Sequence, residues 1–290
     1  MVGRKTRRKN KKIGDFAPGP YQCRPRVGTV RPVGGCLPQH ELEKIAKKVL
    51  GSGASAGGGD AVRNTLAVKI NTDPSKEFSF IENLPIEQAE KERLQKEYLR
   101  PKQPDSWKSD PDKWLDSINI NDVMSQYDQD IPDFKFLGPY PIDFAAPDPY
   151  NSSSTKCLIS EICKLDLPAL RAAGKKRIGI IYNLDPHNKS GSHWVATYID
   201  LNKNHCYYFD SYGMEVPDQI NKFMQWLTLQ EPKMKLAYNA RRFQLKGSEC
   251  GMYSMYFIIR MLMGEPFRQF CRRAPRDDVM LHLRSWLFAT

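Results

Sequence analysis

An α+β fold is predicted: a central mixed β-sheet flanked by helices, the candidate nucleophile at the N-terminus of a buried helix, and an N-terminal helical and irregular extension. Three features predict it. Strand-like runs at residues 178–182, 193–199, 206–210 and 234–238 are grouped between helical stretches. Residues 252–263 are apolar nearly all round, the pattern of a buried helix. The first hundred residues carry helical patterns and loop signals with no strand-like run.

Taken in order, residues 37–50 place Leu42, Ile45, Ala46 and Val49 on one helical face. Residues 51–59 are a Gly/Ser/Ala run that reads as a flexible loop. Residues 86–99 form a charged surface helix, ended by Pro101 and Pro104. Residues 112–127 read as a helix presenting Ile120, Val123, Met124 and Tyr127. Residues 217–229 form another, opened by Pro217 and carrying Ile220, Phe223, Met224 and Leu227. Gly264 and Pro266 stop the buried helix. The expected organisation is a basic tail at 1–30, a helical extension at 31–103 and a core domain at 104–290.

The 290 residues carry a net charge of +11, and residues 1–12 hold seven basic residues and no acid. Such a segment reads as a disordered cationic tail able to bind polyanions, nucleic acid among them, or as a solubilising or localising tail. Arg268, Arg272, Arg273 and Arg276 either extend a basic surface or are simply solvated. No apolar run is long enough to span a bilayer and the N-terminus is not a secretory signal, so a soluble protein in a reducing intracellular compartment is expected, with no membrane partner. The seven cysteines form no Cys-x-x-Cys pair, which argues against a zinc ribbon and a secreted disulfide framework. Cys157 and Cys163 are read as ordinary thiols, and no metal site is expected.

The residues that carry chemistry lie around the strands. Cys250 sits in Gln244-Leu-Lys-Gly-Ser-Glu-Cys-Gly251, His193-Trp194 lies 57 positions upstream, and Asp210 closes the third strand-like run. If Ile199 pairs with Asn204, an antiparallel register sets His193 opposite Asp210, joined through Asp200-Leu201-Asn202-Lys203. A carboxylate there takes the proton of one imidazole nitrogen and leaves the other as a base. A one-residue slip would send the two side chains to opposite faces. Cys250 at a helix N-terminus, beside an imidazolium, is where a thiolate is stabilised. Gln244 and the backbone N–H of Cys250 are candidate oxyanion donors. Singly, each has a duller role: core thiol, satisfied strand histidine, turn cap, solvated loop amide. Jointly they are the parts of a thiol hydrolase. His187 in a polar loop and His205 at the far hairpin end are rival bases, and Cys206, mid-strand, is a rival nucleophile.

The order His-Trp, Asp, Gln-x5-Cys-Gly resembles the ubiquitin-like protein (SUMO) proteases and the adenovirus protease, in particular the African swine fever virus-type branch of large DNA viruses. The spacings match that family: 17 positions from His193 to Asp210 and six from Gln244 to Cys250. So do the segments Gly138-Pro-Tyr-Pro-Ile-Asp-Phe144, Asn183-Leu-Asp-Pro-His187, Gly191-Ser-His-Trp-Val195 and Tyr208-Phe-Asp-Ser-Tyr-Gly213. The likeness covers roughly residues 113–260. It implies His193 as general base, Cys250 as nucleophile, Asp210 as imidazole orienter and Gln244 as oxyanion donor. Trp194 and Trp114 would wall a narrow substrate tunnel, core packing being the alternative for both. The Trp-Leu-Asn-Asp segment of the family is Trp114-Leu-Asp-Ser117 here. Two indole walls admit only residues without side chains, so cleavage after Gly-Gly or Gly-x-Gly is implied.

Three readings follow. The first is a cysteine endopeptidase maturing viral structural or core proteins, monomeric, found in the virion and host cytoplasm. It needs no cofactor, with DNA or another polyanion as a candidate activator by analogy with the adenovirus enzyme. The second is a protease removing ubiquitin-like modifiers. The third is a catalytically inactive nucleic-acid-binding core protein on the same fold.

Overall fold

The computed structural model describes residues 22–26, 34–51, 58–149 and 157–290; the basic run at 1–12 lies outside them. Four helices come first: α1 (Gln39–Leu50), α2 (Gly59–Lys69), α3 (Glu77–Glu82) and α4 (Gln88–Tyr98). Leu42, Ile45, Val62, Leu66, Phe80, Ile81 and Leu94 form their core. Cys23 joins that core from the start of the chain and Ala289 from its end. Residue 289 forms a bridge with Lys102, and the Thr290 carbonyl accepts the N–H of Phe78. The chain's last described residues thus fasten the helical unit to the rest.

The sheet is mixed, in the order β1 (Phe134–Pro141), β2 (Arg177–Asn183), β3 (Trp194–Asp200), β4 (His205–Phe209) and β5 (Lys235–Tyr238). The outer pairs β1–β2 and β4–β5 are parallel and the inner pairs antiparallel. Alternating side chains divide the core. Ile181, Ala196, Tyr198 and Phe209 meet α5 (Ser117–Asp130), α9 (Cys250–Leu262) and α11 (Asp277–Leu287). Ile178, Ile180, Val195, Ile199 and Tyr208 meet α8 (Asp218–Gln230) on the other face. The short helices α6 (Ser160–Cys163) and α7 (Leu167–Ala172) join that second face, and α10 (Phe267–Arg272) joins the first.

Three expectations change. The helix foreseen at 112–127 begins only at Ser117, because Asp116 caps it: its carboxylate accepts the Asn119 N–H, and the Asn119 side chain accepts the Asp116 N–H. Trp114 and Leu115 therefore lie in an extended approach. The hairpin register differs by two residues, with Ile199 opposite Cys206 and Asp200 opposite His205. The Asp200 carboxylate accepts the N–H groups of Asn202 and Lys203, and Asn204 takes a φ of 51°, which asparagine tolerates. The turn is Leu201–Asn204. A slip of two preserves every side chain's face. Finally, Cys157 and Cys163 are not thiols: they are bridged, as are Cys23 and Cys36, with Cα atoms 6.5 and 5.2 Å apart. Cys206, Cys250 and Cys271 remain free.

Candidate active site

Cys250 opens α9, whose first turn is buried against the sheet and the Trp114–Asp116 approach. The following glycine allows that close packing. A Cβ on Gly251 would lie 3.0 Å from Leu115 Cδ1 and 3.3 Å from Trp194 Cδ1. Trp194 Nε1 donates to the Leu115 carbonyl at 2.9 Å, tying β3 to the same segment. Just before Cys250, the buried Glu249 takes two hydrogen bonds from Arg284 of α11, at 2.6 and 3.1 Å. The Arg284 guanidinium also lies 4.5 Å from the Trp107 ring centroid. Burial pushes the Glu249 carboxyl up, against the pull of Arg284.

An ion pair so placed is costly to break, because the surviving charge stays buried. Arg284→Met is expected to lower stability by about 3–5 kcal/mol at neutral pH. The loss shrinks in acid, where the buried Glu249 takes up a proton. Denaturant melts at pH 7 and pH 5 check this; equal losses at both would contradict it.

His193 immediately precedes β3 and is 9% exposed. Its Nε2 is 2.6 Å from Asp210 Oδ1, and Cys250 lies close enough to act on the ring electrostatically. Burial disfavours the imidazolium, but the hydrogen bond to Asp210 and the charges of Asp210 and Cys250 outweigh it and push the pKa up to about 9. The carboxylate on Nε2 orients the imidazole, with Cys250 within electrostatic reach of the ring.

The observed register explains how Asp210 still reaches His193. Extended past the strand ends, it sets His193 level with Tyr212, whose ring stacks on the imidazole with centroids 4.6 Å apart. Asp210 approaches diagonally. Its carboxylate also accepts the N–H groups of Tyr212 and Met214. Asn239, just past β5, accepts the Asp210 N–H at 2.9 Å and donates to the Asp210 carbonyl at 2.7 Å. Gly213 lets the same turn close: φ is +72°, and a Cβ would sit 2.6 Å from the Arg241 backbone.

Gln244 is fully buried. Its Oε1 accepts the Ser211 hydroxyl at 2.7 Å, and its Nε2 donates to the Lys246 carbonyl at 2.5 Å. Fixing the oxygen on Ser211 leaves the second amide N–H available. Arg242 braces this loop, donating to the Gln244 carbonyl at 2.7 Å and lying 5.2 Å from the Tyr212 ring centroid.

Trp114, 48% exposed, and Trp194, 7% exposed, both line a cleft of about 500 Å³. Trp114 also borders a second hollow, with Lys246, Gly247 and Ser248. The exposed His187 also lines the first cleft, with its Nδ1 2.7 Å from Asp143 Oδ2, and so is engaged elsewhere. His205 lies at the opposite hairpin end, opposite Asp200. Burial pushes the Cys206 thiol far up and the Cys271 thiol to about 11. Among the described residues no group of three or more His, Cys, Asp or Glu could hold a metal ion, and no helix is long and apolar enough to cross a membrane.

The sequence assigns no role to Asn239, or to Ser211 and Tyr212 beyond their place in the segment 208–213. Tyr212 was within reach: the correct register alone names the residue level with His193. Asn239 was not, since it follows a strand that pairs in parallel with β4.

Residues 180–284 match the Ulp1 protease family, C-terminal catalytic domain. A protein of Acanthamoeba polyphaga mimivirus described as a thiol protease is 36% identical over 160 residues, 53% of this chain and 50% of that protein. The SUMO-1 cysteine protease of African swine fever virus is 30% identical over 118 residues, 38% of this chain and 43% of that protein. The chain thus matches about half the length of these curated relatives. The crystal structure of the African swine fever virus protease shares the fold, with a TM-score of 0.62 over 94% of this chain and 96% of that one at 18% identity.

Proposed function

With a Ulp1-type catalytic domain across residues 180–284, we propose that this chain is a cysteine endopeptidase acting on polypeptides after Gly-Gly or Gly-x-Gly sequences. The observation that carries the proposal is the buried line Cys250–His193–Asp210, in which one of three free thiols meets an imidazole held by a carboxylate. The Cys250 sulfur attacks the scissile carbonyl carbon. The resulting oxyanion is met by the Cys250 N–H and the Gln244 amide. Collapse breaks the C–N bond, and His193 gives its proton to the leaving amine, leaving a thioester. Water, losing a proton to His193, attacks the thioester and releases the acid and the thiol. Asp210 keeps the imidazole in place through both transfers, and Asn239 and Tyr212 keep Asp210 and the ring in register. Trp114 and Trp194 supply the walls that exclude side chains from the positions next to the scissile bond.

Viral structural or core polypeptides are the substrates proposed first, and the similarity to a SUMO-1 cysteine protease makes ubiquitin-like modifier conjugates the second reading. Incubating the enzyme with candidate virion polypeptides and with ubiquitin-like modifier conjugates, then sequencing new N-termini, separates the two. Cuts after Gly-x-Gly in virion polypeptides are expected. Release of modifiers alone would favour the second reading, and no cut in either would overturn both. A catalytically inactive core protein is disfavoured by the intact Cys250–His193–Asp210 line. The basic run at residues 1–12 suits a polyanion such as DNA as activator, and added DNA should then raise turnover in a salt-sensitive way.

The pH profile follows from His193. Its raised pKa means that the imidazolium persists until about pH 9. By the same sign, its contribution to stability is complete below about pH 6.5 and is lost as pH rises through 9. The alkaline limb of kcat/KM should fall near pH 9, read as a value of the Cys250–His193 couple. A limb at pH 6.5–7 would contradict the ion-paired site.

A further inference from the structure

We infer that Asp277 is a positioning residue for this chemistry, acting through Lys246 on the Gln244 amide. The inference rests on the thiol-protease reading above. Asp277 is the first residue of α11, and its carboxylate gathers three groups from the nucleophile's surroundings. The Lys246 N–H donates to Oδ2 at 2.9 Å, and the Leu245 N–H donates to the same oxygen at 3.0 Å. The Tyr253 hydroxyl lies 3.1 Å from Oδ1, and this tyrosine is buried in the first turn of α9. One carboxylate therefore ties the loop before Cys250 to the helix that Cys250 begins.

The connection runs on to the reacting centre. The Lys246 peptide unit that faces Asp277 is followed by the Lys246 carbonyl, which receives the Gln244 Nε2 at 2.5 Å. Gln244 is in turn fixed on Ser211, beside Asp210. Moving Lys246 therefore moves the amide that faces the developing oxyanion.

Packing does not hold this loop. Leu245 is 74% exposed, Lys246 and Gly247 are exposed, and a Cβ on Gly247 would meet nothing within 4 Å. An exposed segment with no apolar anchor takes its geometry from hydrogen bonds, and those to a carboxylate are the strong ones. Arg284 lies seven residues after Asp277, on the same helical face, and holds Glu249 from the other side of the loop. Helix α11 thus grips the nucleophile loop at both ends.

The test uses the full chain and a Gly-Gly aminocoumarin peptide. Asp277→Asn keeps the size and one acceptor oxygen but removes the negative charge, so the hydrogen bonds from the Leu245 and Lys246 N–H groups lose their charge assistance. Its kcat should fall about 10–10²-fold, a fraction of the loss for one oxyanion donor up to its lower bound. KM should stay within about twofold, and affinity for a Gly-Gly peptide aldehyde, whose hemithioacetal oxygen sits in the oxyanion position, should fall in step with kcat. Alkylation of Cys250 by iodoacetamide needs no oxyanion donor and should stay within about twofold. On a Gln244→Ala background, Asp277→Asn should add little further loss. Turnover equal to wild type, alkylation falling with turnover, or fully additive losses would each overturn the inference. Should Asp277→Asn not fold, Asp277→Glu is read by the same three measurements, with a smaller loss of the same pattern expected. Failure of the wild-type enzyme itself to cleave, or cleavage indifferent to alkylation, would instead overturn the thiol-protease reading.

Discussion

Cys250→Ala is expected to lower kcat for a Gly-Gly-x peptide by on the order of 10⁶, the scale seen when the nucleophile of a catalytic triad is removed. Nothing nearby can replace the sulfur. Cys206 is fully buried on the opposite face of the sheet with α8, and Cys271 lies on α10, its thiol pushed up to about 11 by burial. The fold should survive. The substitution removes one buried atom from the first turn of α9, while the packing of Gly251 on Leu115 and Trp194 and the Glu249–Arg284 pair remain. A loss of about 1 kcal/mol is ordinary for such a change. Residual cleavage within 10³ of wild type in a folded Cys250→Ala protein would assign the chemistry to another group. The measurement is single-turnover cleavage alongside a thermal melt.

Asp210→Ala should lower kcat by about 10⁴, the scale for loss of a triad carboxylate. Asp210 does two things to His193. Its Oδ1 lies 2.6 Å from Nε2 and so orients the ring, and its hydrogen bond and negative charge help raise the imidazole pKa to about 9. Without it, burial acts on the ring with only Cys250 to oppose it, so the alkaline limb of kcat/KM should move down from pH 9. The turn should loosen too, since Asp210 accepts the Tyr212 N–H that sets the stacked ring. Asn239 still ties the residue-210 backbone to the strand β5 side, so the chain path should hold. A pH–rate series on the variant checks both effects. An unchanged alkaline limb with a full loss of rate would mean that Asp210 orients His193 without raising its pKa.

The parts of the site legible in the sequence are those fixed by local pattern. Cys250 at the start of an all-apolar helix follows from periodicity, and His193 and Asp210 at the two open ends of a hairpin follow from strand alternation. The register expected from the sequence differs from the observed one by two residues, since only the Asp200 carboxylate and the left-handed Asn204 reveal where the turn begins. The difference spared the His193–Asp210 contact because strand side chains repeat every two residues. It hid Tyr212 all the same.

Other elements were illegible for particular reasons. Strand β1 carries Gly138, Pro139 and Pro141, residues that argue against a strand in any sequence reading, yet it lies at the sheet edge, where proline is tolerated. Helices α10 and α11 sit in a basic, proline-interrupted stretch, so the Asp277 and Arg284 contacts to the loop before Cys250 have no sequence signature. Cys157 and Cys163 carry no signal of pairing either, because a six-residue separation suits a thiol pair and a bridge equally.

The most direct test is covalent labelling of the intact protein with a peptide ending in a Gly-Gly vinyl ester, followed by mass measurement and mapping of the modified residue. One adduct per chain on Cys250, formed much more slowly in His193→Ala at pH 7, is the predicted result. An adduct on Cys206 or Cys271, or labelling of Cys250 that is equally fast without His193, would contradict the sulfur–imidazole pair on which the account stands.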